Sequence, residues 1–196
     1  MPQRAMPDPI AKFNEWLVEA TETEPVNPTA CSLATVGADG QPTLRMVLLK
    51  GADERGFVFY TNLGSRKAED LRANPKAALC FYWKSTARQV RVTGSAALVG
   101  DAEADAYFES RGREAKIGAW ASRQSQAIKS RFDLEKAVVK ATARYAVGAV
   151  PRPEFWSGYR VTPEIIEFWR EKPFRLHERI EYSRDGEGWA LRHLFP

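Results

Sequence analysis

Apolar positions along this chain fall into two periods, and the changes of period mark out the elements. After Asp8-Pro9, an N-cap followed by a proline suited to the first helical turn, Ile10, Phe13 and Leu17 recur at helical spacing and predict an amphipathic helix. Alternating or continuous apolar runs then predict strands over residues 30–36, 41–50, 57–62, 76–83 and 88–99. Their connections, Gly37-Ala-Asp-Gly40, Gly51-Ala-Asp-Glu-Arg-Gly56 and Lys84-Ser-Thr-Ala87, are turn sequences. A short helix, with Ser65 as N-cap ahead of Lys67-Ala-Glu-Asp-Leu71, interrupts the series. Such spacing predicts successive hairpins, including one that pairs 44–50 with 57–62, and an antiparallel meander closing into a small barrel rather than βαβ units.

The pattern turns helical in the middle. Asp101 is placed as the cap of a helix over 102–110, a second helix covers 114–122, and a third follows Asp133 over 134–147 until Gly148 and Pro151. Strands resume at 158–161, 165–169, 177–183 and 189–194, the last two joined by Arg184-Asp-Gly-Glu-Gly188. The expected class is mainly β with α-helices that cover barrel ends or join partners.

Composition narrows this picture. With 196 residues, 44% of them hydrophobic, and no Pro/Gly/Ser-rich linker, the chain is expected to form a single domain over 1–196. A net charge of +4 allows an anionic ligand, but acids and bases are interspersed, which argues against nucleic acid. Cys31 and Cys80 stand alone in strand-like runs, without a CxxC or metal-ligand spacing, and read as buried reduced thiols. There is no apolar run of the ~18 residues a membrane span needs, and the N-terminus lacks the apolar core of an export signal. A cytoplasmic protein is expected.

The densest candidate chemistry lies between Thr43 and Leu71. Arg45 and Lys50 sit inside an apolar strand, where unpaired charge is costly, so each is expected to have a partner. They are roughly 17 Å apart in an extended chain and on opposite faces, a spacing that suits an elongated ligand. Ser65 then opens a helix whose free N–H groups stand beside Arg66 and Lys67, a phosphate-binding arrangement. The same residues also fit an exposed hairpin and a solvated helix; Arg45 and Lys50 shift the balance to an anion site.

Two further clusters stand out. Trp169 precedes Phe174-Arg-Leu-His-Glu-Arg179, where an extended chain sets Arg175, His177 and Arg179 on one face. Donors beside a tryptophan suit a planar, electron-accepting ring with carbonyl oxygens, although a charged surface strand has the same pattern. Tyr107 and Arg111 are i,i+4 neighbours and offer a phenol and a guanidinium together, or else Arg111 only complements a helix dipole. With His177 and His193 alone and no HExxH or Cys/His cluster, a protein-built metal site is not expected. The glycines form no serine elbow, dinucleotide fingerprint or Walker loop, since Gly51 to Gly56 leads into Phe57. A nucleotide would have to be held by side chains and strands.

These residues resemble the pyridoxamine 5'-phosphate oxidases, FMN enzymes that make pyridoxal 5'-phosphate. The resemblance runs from Asp8-Pro9 to the C-terminus. It rests on Arg45-Met-Val-Leu-Leu-Lys50, Phe59-Tyr-Thr-Asn-Leu-Gly-Ser-Arg-Lys67, Arg88-Gln-Val-Arg-Val92, Tyr107-Phe with Ser110-Arg111, and Ile117-Gly-Ala-Trp120. Gln124-Ser125, Phe155-Trp156, Phe168-Trp169 and Arg175-Leu-His-Glu-Arg179 continue it.

It implies an FMN-binding split β-barrel flanked by helices and a homodimer with FMN sites at the interface, the region from about 150 to 196 serving dimerisation and substrate. FMN contacts are implied for Arg45, Met46, Val47, Leu48, Leu49, Lys50, Tyr60, Thr61, Arg66, Lys67 and Gln89 of one subunit, completed by Gln124, Ser125, Trp169 and Arg179 of the other. Lys50, Tyr107 and Arg111 would hold the substrate phosphate, while Arg175 and His177, as the catalytic pair, would lie over the pyridine with Leu176 between them in the substrate site. The implied reaction is hydride transfer from the substrate C4' carbon to flavin N5, with O2 as acceptor giving H2O2 and with ammonia released from the amine substrate.

Four departures stand out. Ala115 replaces the usual serine of the phosphate site, Gly112 a proline, and Glu178 an aspartate, while only seven residues precede Asp8 where many members carry a longer covering segment. The alternatives are a related FMN oxidase of the phenazine-biosynthesis kind, and a split-barrel protein that binds flavin or haem without turnover.

Overall fold

A computed structural model of the chain describes residues 8–196; the expectations that fall on the first seven, the lack of an export signal and a segment shorter than many members carry, lie outside them. The helical period that opens the pattern becomes α1 (Pro9–Thr23), capped by Asp8, whose carboxylate accepts from the Ile10 N–H at 2.9 Å. Then come β1 (Ala30–Val36), β2 (Pro42–Leu48), β3 (Gly51–Asp53), β4 (Gly56–Asn62), α2 (Arg66–Ala73), β5 (Lys76–Trp83) and β6 (Arg88–Leu98). Helices α3 (Asp101–Ser110), α4 (Arg113–Ala121) and α5 (Arg131–Arg144) fill the middle, and β7 (Trp156–Arg170), β8 (Glu178–Asp185) and β9 (Gly188–Leu194) close the chain. Two helix starts differ from expectation. Gly100, not Asp101, is the cap of α3, and α5 begins earlier than predicted because Ser130 and Asp133 form a capping box.

Among the described residues nine strands pair antiparallel in one curled sheet of order β2-β1-β5-β6-β7-β4-β3, with β8 and β9 added beside β7. The expected meander is thereby corrected. β4 lies beside β7, which the C-terminal part of the chain inserts between β4 and β6. The cause is the composition of β4: every position but Tyr60 is buried, and a strand without a polar face belongs in a sheet interior, which local hairpins do not supply.

The hairpin expected between 44–50 and 57–62 is corrected as well. β2 pairs with β1, and the chain crosses at Leu49-Lys50 to the other end of the sheet order, where β3 turns tightly into β4. Asp53 makes that tight turn local, its carboxylate accepting from the Arg55 N–H at 3.0 Å. On either side of the crossing, the Leu49 N–H donates to Thr29 O at 2.9 Å and the Lys50 N–H to Val58 O at 2.8 Å. The barrel is therefore split, joined between β2 and β3 by the chain and not by a ladder.

β7 is one strand where two were predicted. Its ladder to β6 shifts register between Thr93 and Gly94, and the sheet forks there: the first half of β7 pairs with β4, the second with β8. A Cβ on Gly94 would stand 2.0 Å from the Thr162 carbonyl oxygen, so the close approach requires glycine.

Phe13 of α1 plugs the curled sheet, its ring meeting Phe57 and Phe81 edge-on at 4.9 Å each. Leu33, Leu79, Val90, Val92, Ile166 and Phe168 complete this core. Smaller clusters, Ile117 with Ala121, Ala141 and Val150, and Val58 with Val99 and Ala104, seat α4 on α5 and α3 on the barrel. Cys31 and Cys80 are free thiols, and burial pushes the Cys31 pKa up to about 12. No helix among the described residues is long and apolar enough to cross a membrane.

Candidate functional site

Where β4 ends, α2 begins and α3 meets α4, a cleft of about 690 Å³ opens. Of the residues singled out in the sequence it brings together Met46, Val47, Leu48, Lys50, Tyr60, Thr61, Lys67, Tyr107, Arg111, Ala115 and Gln124. Each comes from a different local device. Lys50 stands at the crossing between β2 and β3, Tyr60 and Thr61 at the end of β4, and Lys67 in the first turn of α2. Arg111 was expected to share a helix face with Tyr107; instead α3 ends at Ser110 and Arg111 is its extended cap (φ −77°, ψ 147°).

Among the described residues the lining holds three cations, Lys50, Lys67 and Arg111, and no Asp or Glu. Lys67 is buried, and its Nζ reaches hydroxyl oxygens, Thr61 Oγ1 at 3.2 Å and Ser65 Oγ at 3.4 Å. Desolvation, and then the nearby Arg45 charge, hold its pKa below the usual lysine value. Arg111 is depressed by desolvation too; its guanidinium lies 4.8 Å from the Trp156 ring centroid and its Nη1 is buried without a hydrogen-bond partner. Ser65 occupies the expected N-cap position, yet its hydroxyl makes no capping bond and turns towards Thr61 and Lys67. The buried Lys67 in the first turn of α2, the half-buried Arg111 and Lys50, which is exposed where the sequence pattern set it inside a strand, thus line one cleft without an acid, and such an arrangement calls for an anion.

An aromatic wall completes the cleft. Tyr60 stacks on Tyr107 with centroids 3.9 Å apart and runs nearly parallel to Trp156 at 5.3 Å. Gly158, the cross-strand neighbour of Tyr60, permits this, because a Cβ there would come within 2.8 Å of the tyrosine ring. α3 is seated by Ala104 and Phe108, and ion pairs flank it: Arg160 with Glu103 at 2.6 Å and Asp53 at 2.8 Å, and Arg152 with Asp101 at 2.8 Å and Asp105 at 2.5 Å.

The remaining expected residues stand elsewhere. Arg45 and Arg66 meet at Asp70 of α2, a buried carboxylate that accepts from Thr35 and Thr43 at 2.7 Å each and from Arg66 Nε at 2.9 Å, with Arg45 at 3.5 Å. Burial alone would raise the Asp70 pKa, but the bonds from Thr43, Thr35 and Arg66 outweigh it and hold the carboxyl below its usual range. Part of the partnership that the burial of Arg45 demanded is therefore internal. Leu49 belongs to the main core, and Ser125 follows Gln124 on the loop towards α5 with a left-handed backbone (φ 71°).

Gln124 was expected from a second subunit, but its Oε1 accepts from Thr61 Oγ1 of its own chain at 3.0 Å. Gln89, expected with the cleft residues, instead lies in register with Trp169 and, through it, Arg179 across β6, β7 and β8. The single-face strand of Arg175, His177 and Arg179 is corrected also: residues 173–175 form a 3₁₀ turn with Phe174 and Arg175 left-handed (φ 57° and 62°), and of the three only Arg179 is in β8. His177 packs against Trp169 at 4.7 Å, its Nδ1 accepting from the Lys172 N–H, while Arg175 and Leu176 are exposed. Two residues were given no place in a site by the sequence. Trp156 stood only in the Phe155-Trp156 motif of the resemblance, and Asp70 lay in a helix that also fits a solvated one.

Comparison with known proteins defines the class. The structure of PhzG from Burkholderia lata, in complex with tetrahydrophenazine-1-carboxylic acid, matches with a TM-score of 0.90 at 32% identity, over 100% of this chain and 94% of that one. A pyridoxamine 5'-phosphate oxidase-related, FMN binding protein from Nostoc punctiforme shares the fold, with a TM-score of 0.78 at 18% identity over 97% of this chain and 100% of the other. Residues 17–145 match the family model described as Pyridoxamine 5'-phosphate oxidase, and 156–196 the Pyridoxine 5'-phosphate oxidase C-terminal dimerisation region. Pyridoxine/pyridoxamine 5'-phosphate oxidase of Rhodospirillum rubrum is 60% identical over 194 residues, 96% of each chain, and that of Caulobacter vibrioides 57% over 189, 96% of this chain and 85% of the other. The chain belongs to the pyridoxamine 5'-phosphate oxidase family, a family of oxidoreductases.

Proposed function

We propose that this protein oxidises pyridoxamine 5'-phosphate and pyridoxine 5'-phosphate to pyridoxal 5'-phosphate, with FMN as bound hydride acceptor and O2 as final acceptor, releasing H2O2. The observation that carries the reading is the acid-free cleft with its three cations and aromatic wall, since cofactor and substrate are both planar rings bearing a phosphate. The names of the close relatives support the choice of substrate.

In this reading Lys67 and the first turn of α2, with Arg45 and Arg66 behind them, hold the FMN phosphate, while residues 46–49, Tyr60, Thr61, Gln124 and Ser125 hold the rest of the cofactor. Lys50, Tyr107 and Arg111 hold the substrate phosphate, and Ala115 stands there without a hydroxyl donor. Bound FMN supplies the two-electron chemistry. The side chains bind, orient and exclude water, and the positive charge around the ring favours a reduced, anionic cofactor.

Gln89, Trp169, Arg175, Leu176, His177 and Arg179 are outside the cleft lining of their own chain. We assign them to the partner subunit's cleft in a homodimer, where Arg175 and His177 orient the pyridine and its amine or alcohol; the match of 156–196 to a dimerisation region supports this. We read the chain as one domain, a view supported by the pairing of β7 with β4 and β6, and place it in the cytoplasm, which suits two unpaired thiols.

The likeness to PhzG favours a second reading, oxidation of a phenazine precursor by the same scaffold. Anaerobic addition of pyridoxamine 5'-phosphate to the holoprotein decides between them. The expected result is bleaching of the flavin absorbance, with colour and H2O2 returning when O2 is admitted. Bleaching by a tetrahydrophenazine carboxylate alone would move the protein to the second reading, and no bleaching by either would make it a binder.

A further inference from the structure

We infer that Asp70 is a positioning residue of the anion site, fixing the Arg45 and Arg66 guanidiniums relative to the first turn of α2; the inference rests on the reading of this cleft as an FMN site. Asp70 is 2% exposed and lies one helical turn after Arg66. Its oxygens divide the work. Oδ1 accepts from Arg66 Nε at 2.9 Å, whereas Oδ2 accepts from the Thr35 and Thr43 hydroxyls at 2.7 Å each. Those hydroxyl oxygens in turn accept from Arg45, Nη1 reaching Thr35 at 2.7 Å and Nη2 reaching Thr43. One closed network thus ties β1, β2 and the head of α2 together through two guanidiniums, while Arg66 remains 53% exposed and Arg45 21% exposed, open to a further ligand.

The sign of the charge makes this more than a structural tie. A carboxylate beside an anion site lowers the positive potential that attracts the anion, so Asp70 opposes phosphate binding by its charge and favours it only by arranging its cations. The two roles predict opposite outcomes. If Asp70 acts through charge, Asp70→Asn tightens FMN binding. If it positions the arginines, Asp70→Asn weakens FMN binding although the site has become more positive.

The test measures FMN and riboflavin binding to the flavin-stripped full-length chain by quenching of flavin fluorescence. Riboflavin lacks the phosphate. Asp70→Asn is expected to raise the FMN Kd about tenfold and the riboflavin Kd less than about twofold; Thr43→Ala, at a half-buried position that spares the fold, should raise the FMN Kd by about threefold with the same selectivity. Unchanged or tighter FMN binding in Asp70→Asn overturns the inference, and so does an equal loss of both flavins, the mark of general loosening. A wild-type chain that binds neither flavin overturns the FMN reading and this inference with it, a result distinct from every variant outcome.

Discussion

Two buried carboxylates, Asp70 of α2 and Glu167 in the second half of β7, are each held between arginines, yet only Asp70 shares its helix with a cation of the cleft. Around Glu167 the charges run in register across four strands as Arg91, Glu167, Glu181 and Arg192, and Arg179 adds bonds of 3.0 and 3.1 Å to Glu167. Acids and bases there answer one another. Beside Asp70 and its two arginines other cations stay unanswered, because Lys67 reaches hydroxyls and Arg111 meets aromatic rings. The lesson is that a buried carboxylate between arginines does not by itself mark a site, whereas a buried cation without an acid marks where a ligand is awaited.

The comparison can be broken most sharply at Glu167. Glu167→Ala should cost about 2–3 kcal/mol of stability in chemical denaturation, the range for hydrogen bonds to charged groups, moderated because Arg91 is half exposed. A variant as stable as the parent would show the row to be ornamental. Lys67→Ala should do the reverse: FMN binding weakened by about 1–3 kcal/mol in a fluorescence titration, with no loss of stability, since the fold is relieved of an unpaired charge.

Acid sets the carboxylates apart from the lysine. Both Asp70 and Glu167 titrate below their unfolded values, near 3.9 and 4.3, so the stability they contribute is present above those values and is lost as pH falls through the lower folded ones. Glu167→Gln should flatten the fall of Tm in that acid window. For Lys67 the sign is opposite: its folded pKa is lowered, and FMN binding favours the protonated amine, so affinity should decline with rising pH before the ordinary lysine range is reached. Lys67→Ala should remove that decline.

The smallest effect is expected at Ala115. Ala115→Ser adds one donor to the phosphate end of the cleft and should lower KM for pyridoxamine 5'-phosphate several-fold, about 0.5–1.5 kcal/mol, with kcat nearly unchanged, because the phosphate is bound alike in ground and transition states. Steady-state kinetics on the two proteins would check it.

What the sequence made legible was local. Asp8-Pro9 announced α1, and the run from Lys76 to Leu98 announced β5 and β6, because caps and turns act over a few residues. The pairing of Phe57 with Val161 has no such signal, and the expected meander failed there. At the site the cations could be read and their acid could not, since Asp70 in Lys67-Ala-Glu-Asp-Leu71 looks like any surface helix until α2 is laid on β1 and β2. Register likewise sets Gln89 beside Trp169, while Gln124 stands in the cleft of its own chain against Thr61. FMN and the vitamer were named by resemblance, not by spacing.

The fork in β7 also governs how the chain can assemble. β4 finds its second neighbour only across the pairing of Phe57 with Val161, and the far side of β6 is likewise filled by β7. During synthesis both strands must wait, edges bare, until residues 156–170 leave the ribosome. A nascent chain stopped short of Trp156 would carry two open ladders, that of β4 on a strand buried almost throughout, a template for association with other unfinished copies. The last quarter of this protein is thus the closing step of its folding, and the cleft built on β4 is expected to mature only after it.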